Sequence, residues 1–363
     1  MMPAMMMRAA AAIPGLFVLV TGPTVVRHPD VGRDPPARVV TTQAVFGAIA
    51  RAVGGDAVTV TSIASAAEDP HFVRPKPSLA AEIRRADLFV TTGLDLELWV
   101  PPLLDRAGNP DVMEGGRGYV TAHTGVRLLD IPSSLDRSAG DVHVFGNPHI
   151  HTDPLRALQI ARNIAKGMKT AAPGVSAEVD RNLEAFSDRI RRRLFGDRLV
   201  DLLGGETLER LALANKLLPF LADNMHEGVP LESMLGGWLA AAAPFRGQEI
   251  ICYHKNWAYF EERFDVHCAA YVEPKPGIPP TPNHVARLLE MIREQGIHVI
   301  LAASYFDRRQ VETVARRSGA VPVIVPLNPG IAGVDDYFSL VDAWVDALAE
   351  AFGPTVTAPE EAR

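Results

Sequence analysis

The chain has 363 residues, 47% of them hydrophobic and 22% charged, with a formal net charge of −7 at pH 7. That length leaves room for two domains with buried cores, and the composition is that of a folded soluble protein, not a disordered or fibrous one. The negative balance gives no support to nucleic acid as a partner, since the one basic run, RIRRR at 189–193, reads as a solvated helix end.

Residues 1–36 read as a leader. Arg8 is its first charge and no other follows until Arg27, an arrangement like that of a secretory signal. Pro14, Gly15, Gly22 and Pro23 interrupt the apolar stretch, which disfavours a membrane-spanning helix, and no cysteine lies nearby for lipid attachment. From residue 38 the pattern becomes regular. RVVTT reads as a strand, QAVFGAIARAVGG as a helix stopped by glycines, and AVTVTSIA as a second strand. After the loop SAAEDPHFVRPKP, Ser78 is the expected N-cap of a helix, and DLFVTTG reads as a third strand.

Residues 37–153 thus form an N-terminal α/β lobe, built from parallel strand–helix–strand units. Residues 154–195 carry a helical period broken only near TAAPG, a linking helix that is long or kinked. A helical insert occupies 196–246, with Gly-Gly pairs at 204–205 and 236–237. Alternation of strands and helices resumes over 247–352, a second α/β lobe, and 353–363 is a tail with little to pack. The expected fold is α/β: two lobes, each with a mostly parallel sheet flanked by helices, and a ligand site in the cleft where strand ends face each other. Cys252 and Cys268, the only cysteines, sit in apolar strand-like runs and read as buried thiols, or as a disulfide if the protein is exported.

Three of the 11 histidines stand at strand ends in separate segments: His71 in EDPH, His149 in GNPHIHTDP and His254 closing EIICYH. Neutral imidazoles suit a borderline-soft divalent ion, and three of them leave a position for a fourth group. His267 and His298 start strands, His28 lies in the leader, His226 in the insert and His284 in a helical first turn. His123 and His143 fall in loop-rich sequence, and all seven read as ordinary polar positions. His151 is two residues from His149, so on an extended segment both point to one side.

Beyond these residues, a large part of the chain resembles the zinc/manganese-type solute-binding receptors of ABC importers (cluster A-I). VVTTQAVFGAIARAVGGDAVTVTSI is similar to that family's first strand–helix–strand unit. DPHFVRPKPSLAAEIRRADLFVTTGLDLELWV resembles its D-P-H loop, P-x-P-S helix start and G-L-x-L-E-x-W run. NPHIHTDP and YHKNWAYFEERF resemble its second and third ligand segments. The resemblance implies metal ligands at His71, His149 and His254, with a histidine at the third position going with zinc. His151 falls where the family has tryptophan, and Asp153 is expected to hold a histidine or cap the long helix. The family's aspartate ligand is missing, because the corresponding turn reads VPLNPG at 325–330. The fourth position then falls to water, His151, Glu68, Asp69 or Asp307.

What the resemblance implies is an exported, periplasmic, monomeric receptor with no catalytic residues and no cofactor. It binds Zn²⁺ as cargo, with Mn²⁺ ranked behind it, and hands it to an ABC transporter membrane permease. Its zinc affinity is expected to fall as pH drops through about 6.5, where an unperturbed imidazole protonates. The alternatives are a zinc hydrolase using the same three histidines, a related receptor for manganese, copper or a metal chelate, and an adhesin on the same scaffold.

Overall fold

The computed structural model describes residues 36–132, 143–273, 277–331 and 333–353; the leader and the tail beyond Gly353 lie outside them. The N-terminal lobe runs β1 (Ala37–Thr41), α1 (Ala44–Gly54), β2 (Val58–Ser62), α2 (Pro77–Arg84), β3 (Leu88–Thr91), α3 (Val100–Ala107) and β4 (Tyr119–Thr121). Its four strands are all parallel, in the order β2-β1-β3-β4. Successive residues of a strand face opposite sides, so Val39 enters a core shared with the helices behind, while Val40 packs with Ile83, Phe89, Trp99 and Leu103 on the other face. The helix expected to be capped by Ser78 starts two residues earlier, at Pro77. Pro77 supplies a φ already suited to a helix and has no N–H to leave unsatisfied, and Lys76 takes the cap position.

The linking region read as long or kinked breaks near TAAPG into two helices. α4 (Pro154–Ala171) and α5 (Ser176–Phe195) are separated by a 3₁₀ turn at Pro173–Val175. Pro173 cannot donate within a continuing helix and disfavours helical geometry at Ala172, so the chain breaks there. α4 lies against the N-terminal sheet: a Cβ on Gly167 would meet Val120 and Leu88, and Asn163 Nδ2 donates to Ala122 and Thr124 carbonyls at 3.0 and 2.8 Å. α5 is the element that joins the lobes. Near its start Asn182 reaches Gly55; further along Phe186 stacks edge-on to Phe338 at 5.3 Å, and Arg193 pairs with Asp342.

The insert follows as α6 (Asp197–Leu203), α7 (Gly205–Leu213), α8 (Leu217–Asp223), a small hairpin of β5 (Met225–His226) and β6 (Val229–Pro230), and α9 (Gly237–Ala241). Its two ends touch. A Cβ on Gly196 would lie 2.6 Å from Gly236 Cα, so only glycine permits the two backbones to cross.

The C-terminal lobe comprises β7 (Glu249–Cys252), α10 (Ala258–Phe264), β8 (His267–Tyr271), α11 (Pro282–Gln295), β9 (Val299–Ala303), α12 (Arg308–Ser318), β10 (Val321–Val325) and α13 (Tyr337–Phe352). Its sheet order, β8-β7-β9-β10, repeats that of the first lobe, again with all strands parallel. Cys252 and Cys268 are joined by a disulfide, with Cα atoms 5.4 Å apart, where buried thiols were the first expectation. Adjacent strands β7 and β8 bring the two sulfurs together, a proximity that strand-like sequence alone does not reveal.

Candidate metal centre

Each histidine is held by its own piece of backbone. After β2, Asp69 caps a 3₁₀ turn over Pro70–Phe72, accepting from the His71 N–H at 3.0 Å, and Trp99 Nε1 pins the Pro70 carbonyl at 2.8 Å. The same Asp69 oxygen lies 2.6 Å from His71 Nδ1. A carboxylate only accepts, so Nδ1 carries the proton and Nε2 is left with its lone pair. His254 follows β7, with Nδ1 3.1 Å from the Glu273 carbonyl, which again leaves Nε2 free. His149 is set by Asn147, whose side-chain oxygen accepts from the His149 N–H at 3.0 Å. Asn147 Nδ2 donates to Asp130 at 3.0 Å and to the Lys255 carbonyl at 2.9 Å, while Tyr259 donates to the Asn147 carbonyl at 2.6 Å.

These segments bring His71 and His149 together and leave His254 beside them, outside the group whose nitrogens lie within 4.8 Å of one another. The His71 ring lies 5.4 Å from that of His149 and 6.3 Å from that of His254. His149 is 1% exposed, and neither of its ring nitrogens has a hydrogen-bond partner. Burying such a group without a partner costs roughly 1–3 kcal/mol unless something else satisfies it. A metal ion does so directly.

His143, read from sequence as an ordinary loop position, belongs to the same cluster. Its Nε2 is 3.3 Å from His71 Nε2, and nitrogens of His71, His143 and His149 all lie within 4.8 Å of one another. The spacing His143…His149 matches no local motif, so only its position before the fixed Asn147 brings it in.

Burial sets the protonation of the group. It depresses His143 to about 3 and His254 to about 4, with the His71 charge adding to it in both and the Glu273 carbonyl opposing it at His254. His149 is pushed well below its usual value, mainly by burial and then by the other histidines. Burial acts against ionisation of Asp69 too, but the hydrogen bond and charge of His71 outweigh it and hold the carboxyl below its ordinary range. His143, His149 and His254 therefore stay neutral below the pH range in which a free imidazole protonates.

The carboxylates considered for a fourth position are occupied elsewhere. Glu68 accepts from the Ser65 N–H at 2.9 Å, Asp307 caps α12 through the Arg309 N–H at 3.0 Å, and Asp69 orients His71. In the changed turn, the Asn328 side chain accepts from the Val45 N–H at 3.0 Å, at the start of α1. His151 is buried with its ring edge-on to Phe46 at 6.4 Å, depressed to about 4 by burial against a weaker pull from the Leu327 backbone. It lines the wall. Asp153 holds no histidine: it caps α4 through the Leu155 N–H at 2.9 Å and binds the buried Arg156 and Arg263. Arg263 comes from α10, so this ion pair ties the His149 segment to the second lobe.

The sequence model of the family described as zinc-uptake complex component A, periplasmic (ZnuA), matches residues 39–193 and 238–351. The chain belongs to the ZnuA family. The unmatched interval lies almost wholly within the insert that closes on itself at Gly196 and Gly236. Among curated proteins, the iron-binding protein YfeA of Yersinia pestis is 24% identical over 96% of this chain and 97% of its own length. The manganese ABC transporter substrate-binding lipoprotein PsaA of Streptococcus pneumoniae is 21% identical, over 86% and 88%.

Solved structures with the same fold include a zinc-bound deletion mutant of ZnuA, with a TM-score of 0.64 and 20% identity over 87% of this chain and 98% of that one. A manganese-bound periplasmic protein from Candidatus Liberibacter asiaticus gives 0.61 and 17%, over 87% and 99%. This ZnuA-family chain is a metal-binding substrate receptor of the ABC-transporter type. The family's members are receptors rather than enzymes, so the hydrolase alternative is set aside.

Proposed function

We propose that the protein is an exported periplasmic zinc receptor that binds Zn²⁺ through His71, His149 and His254 and delivers it, as a monomer, to an ABC permease. The donor set carries this reading: imidazoles from three separate segments face one another, while the neighbouring carboxylates are bonded to backbone or to His71 itself. Mn²⁺ and Mg²⁺ favour oxygen ligands, whereas imidazole nitrogen suits Zn²⁺. The relatives' names span iron, manganese and zinc, so the metal is read from the donors rather than from the names. The disulfide is in keeping with an oxidising compartment, reached through a leader read over residues 1–36. Both cysteines of the sequence are engaged in it, which leaves neither to carry a lipid.

No chemistry on the cargo is required. The ion exchanges water for imidazole nitrogens that are already oriented by Asp69 and the Glu273 carbonyl, and burial excludes competing solvent. Residues 37–153 and 247–352 act as the two lobes, with α5 limiting their relative movement.

Calorimetric titration of the metal-stripped protein with Zn²⁺ and Mn²⁺ tests this. One-to-one zinc binding, at least a hundredfold tighter than manganese on the grounds of donor softness, is expected. Manganese binding of equal strength would overturn the zinc assignment, and absence of any metal binding would overturn the receptor reading for this chain.

A further inference from the structure

We infer that His143 is the fourth ligand, so that the cargo is held by four imidazoles and by no carboxylate. The inference rests on the zinc-receptor reading and specifies the coordination that reading leaves open.

The distance between His143 Nε2 and His71 Nε2 is 3.3 Å. Zinc–nitrogen bonds of 2.0–2.1 Å in a tetrahedron place neighbouring nitrogens about 3.3–3.4 Å apart. The two rings already stand at the separation of two ligands on one ion. Without the ion, a proton shared between them satisfies the contact; with it, the metal takes that proton's place. His71 has no other use for Nε2, because Nδ1 is committed to Asp69. The rings of His143 and His149 are 6.2 Å apart and nearly perpendicular, an arrangement open to two ligands of one ion.

The backbone supports the placement. A turn from His143 to Gly146, closed by a 3.1 Å hydrogen bond, leads directly into Asn147, which is clamped to both lobes. The Gly146 φ of +115° is one that side-chain-bearing residues avoid, so this glycine lets the chain turn back toward the site. The cluster of His71, His143 and His149 comes entirely from the first lobe and the segment that precedes α4. His254, from the second lobe, stands outside that group, its ring 6.3 Å from that of His71, and would have to move in to bind the same ion. A neutral four-nitrogen set has no hard oxygen to offer, so it discriminates more strongly against Mn²⁺ and Fe²⁺ than a site containing an aspartate.

Zinc K-edge absorption on the full-length protein counts imidazoles directly, and Co²⁺ substitution reports four-coordinate geometry through intense visible bands. Four imidazoles are expected in the unmodified protein and three in His143→Ala, with zinc affinity lowered roughly a hundredfold and manganese affinity little changed, if each ligand carries a share of the binding energy typical of structural zinc. His143 is half-buried on a loop, so a thermal melt of the metal-free variant checks that it folds. Tight zinc binding with three imidazoles, or four that persist in His143→Ala, overturns the fourth-ligand assignment alone. No zinc binding by the unmodified protein removes the reading it rests on as well.

Discussion

The two lobes share one strand order but contribute to the site in different ways. In the second lobe the central strand β7 runs straight into His254, which sits where ligands of open α/β sheets are expected, at the carboxyl ends of strands beside the point where the order reverses. In the first lobe the matching strand β1 ends in Thr42 and Gln43, and these bond the buried Glu97 instead. Glu97 accepts from Thr42 Oγ1 at 2.7 Å, Thr92 Oγ1 at 2.6 Å and Thr91 Oγ1 at 3.1 Å. That position is closed by its own hydrogen bonds. The first lobe's histidines come from more peripheral segments, the loop after β2 and the stretch before α4. Topology thus places the crevice, and local turns choose which lobe furnishes the donors.

Acid breaks both contributions at once. The buried histidines have folded-state values below the unfolded value of about 6.5, so between the two the unfolded chain binds more protons. Stability of the metal-free protein is therefore full above pH 6.5 and is lost progressively as pH falls toward about 4, which chemical denaturation across that range measures. Zinc affinity is expected to persist below the usual imidazole range in proportion to the share carried by His143, His149 and His254, which titration at about pH 7, 6 and 5 measures. A decline centred at 6.5 would show that these imidazoles are solvated in the free protein.

Single substitutions sharpen the asymmetry. His149→Ala, at the buried centre of the first-lobe cluster, is expected to weaken zinc on the order of a thousandfold by competition titration, and His254→Ala about a hundredfold, since three first-lobe imidazoles remain. Equal losses would mean that the lobes share the ion evenly. Replacing both Cys252 and Cys268 with alanine removes a cross-link spanning 16 residues of sequence, and urea unfolding should lose about 3 kcal/mol by the chain-entropy estimate. Because that bond joins the strand bearing His254 to the strand leading to Glu273, some loss of affinity should accompany it. Asp69→Asn keeps the size of the side chain but weakens its hold on the His71 tautomer, with an expected loss of roughly tenfold to a hundredfold in affinity and little change in melting temperature.

Much of this was legible in the residues. Alternating apolar strands and amphipathic helices imply two parallel α/β lobes, because such a sheet must be covered on both faces. His71, His149 and His254 stand out because each lies at the end of a strand or just before a helix. The linking region reads as a long or kinked helix with a break near TAAPG, and such a proline break reads alike whether the chain kinks or folds back. Only the docking of Asn163 on the first sheet and of Phe186 on the second lobe distinguishes α4 from α5. The disulfide was an open alternative for a similar reason, since 16 residues separate the cysteines and strand adjacency is what brings them together.

The sequence by itself determined the layer architecture, the family and three histidines, all of which follow from local periodicity and short motifs. Tertiary structure alone decided the place of His143, the roles of Asp69 and Asp153, and the closing of the insert at Gly196 and Gly236. Those depend on distances between segments remote along the chain, set by sheet order and by the clamp at Asn147, and no local spacing encodes them.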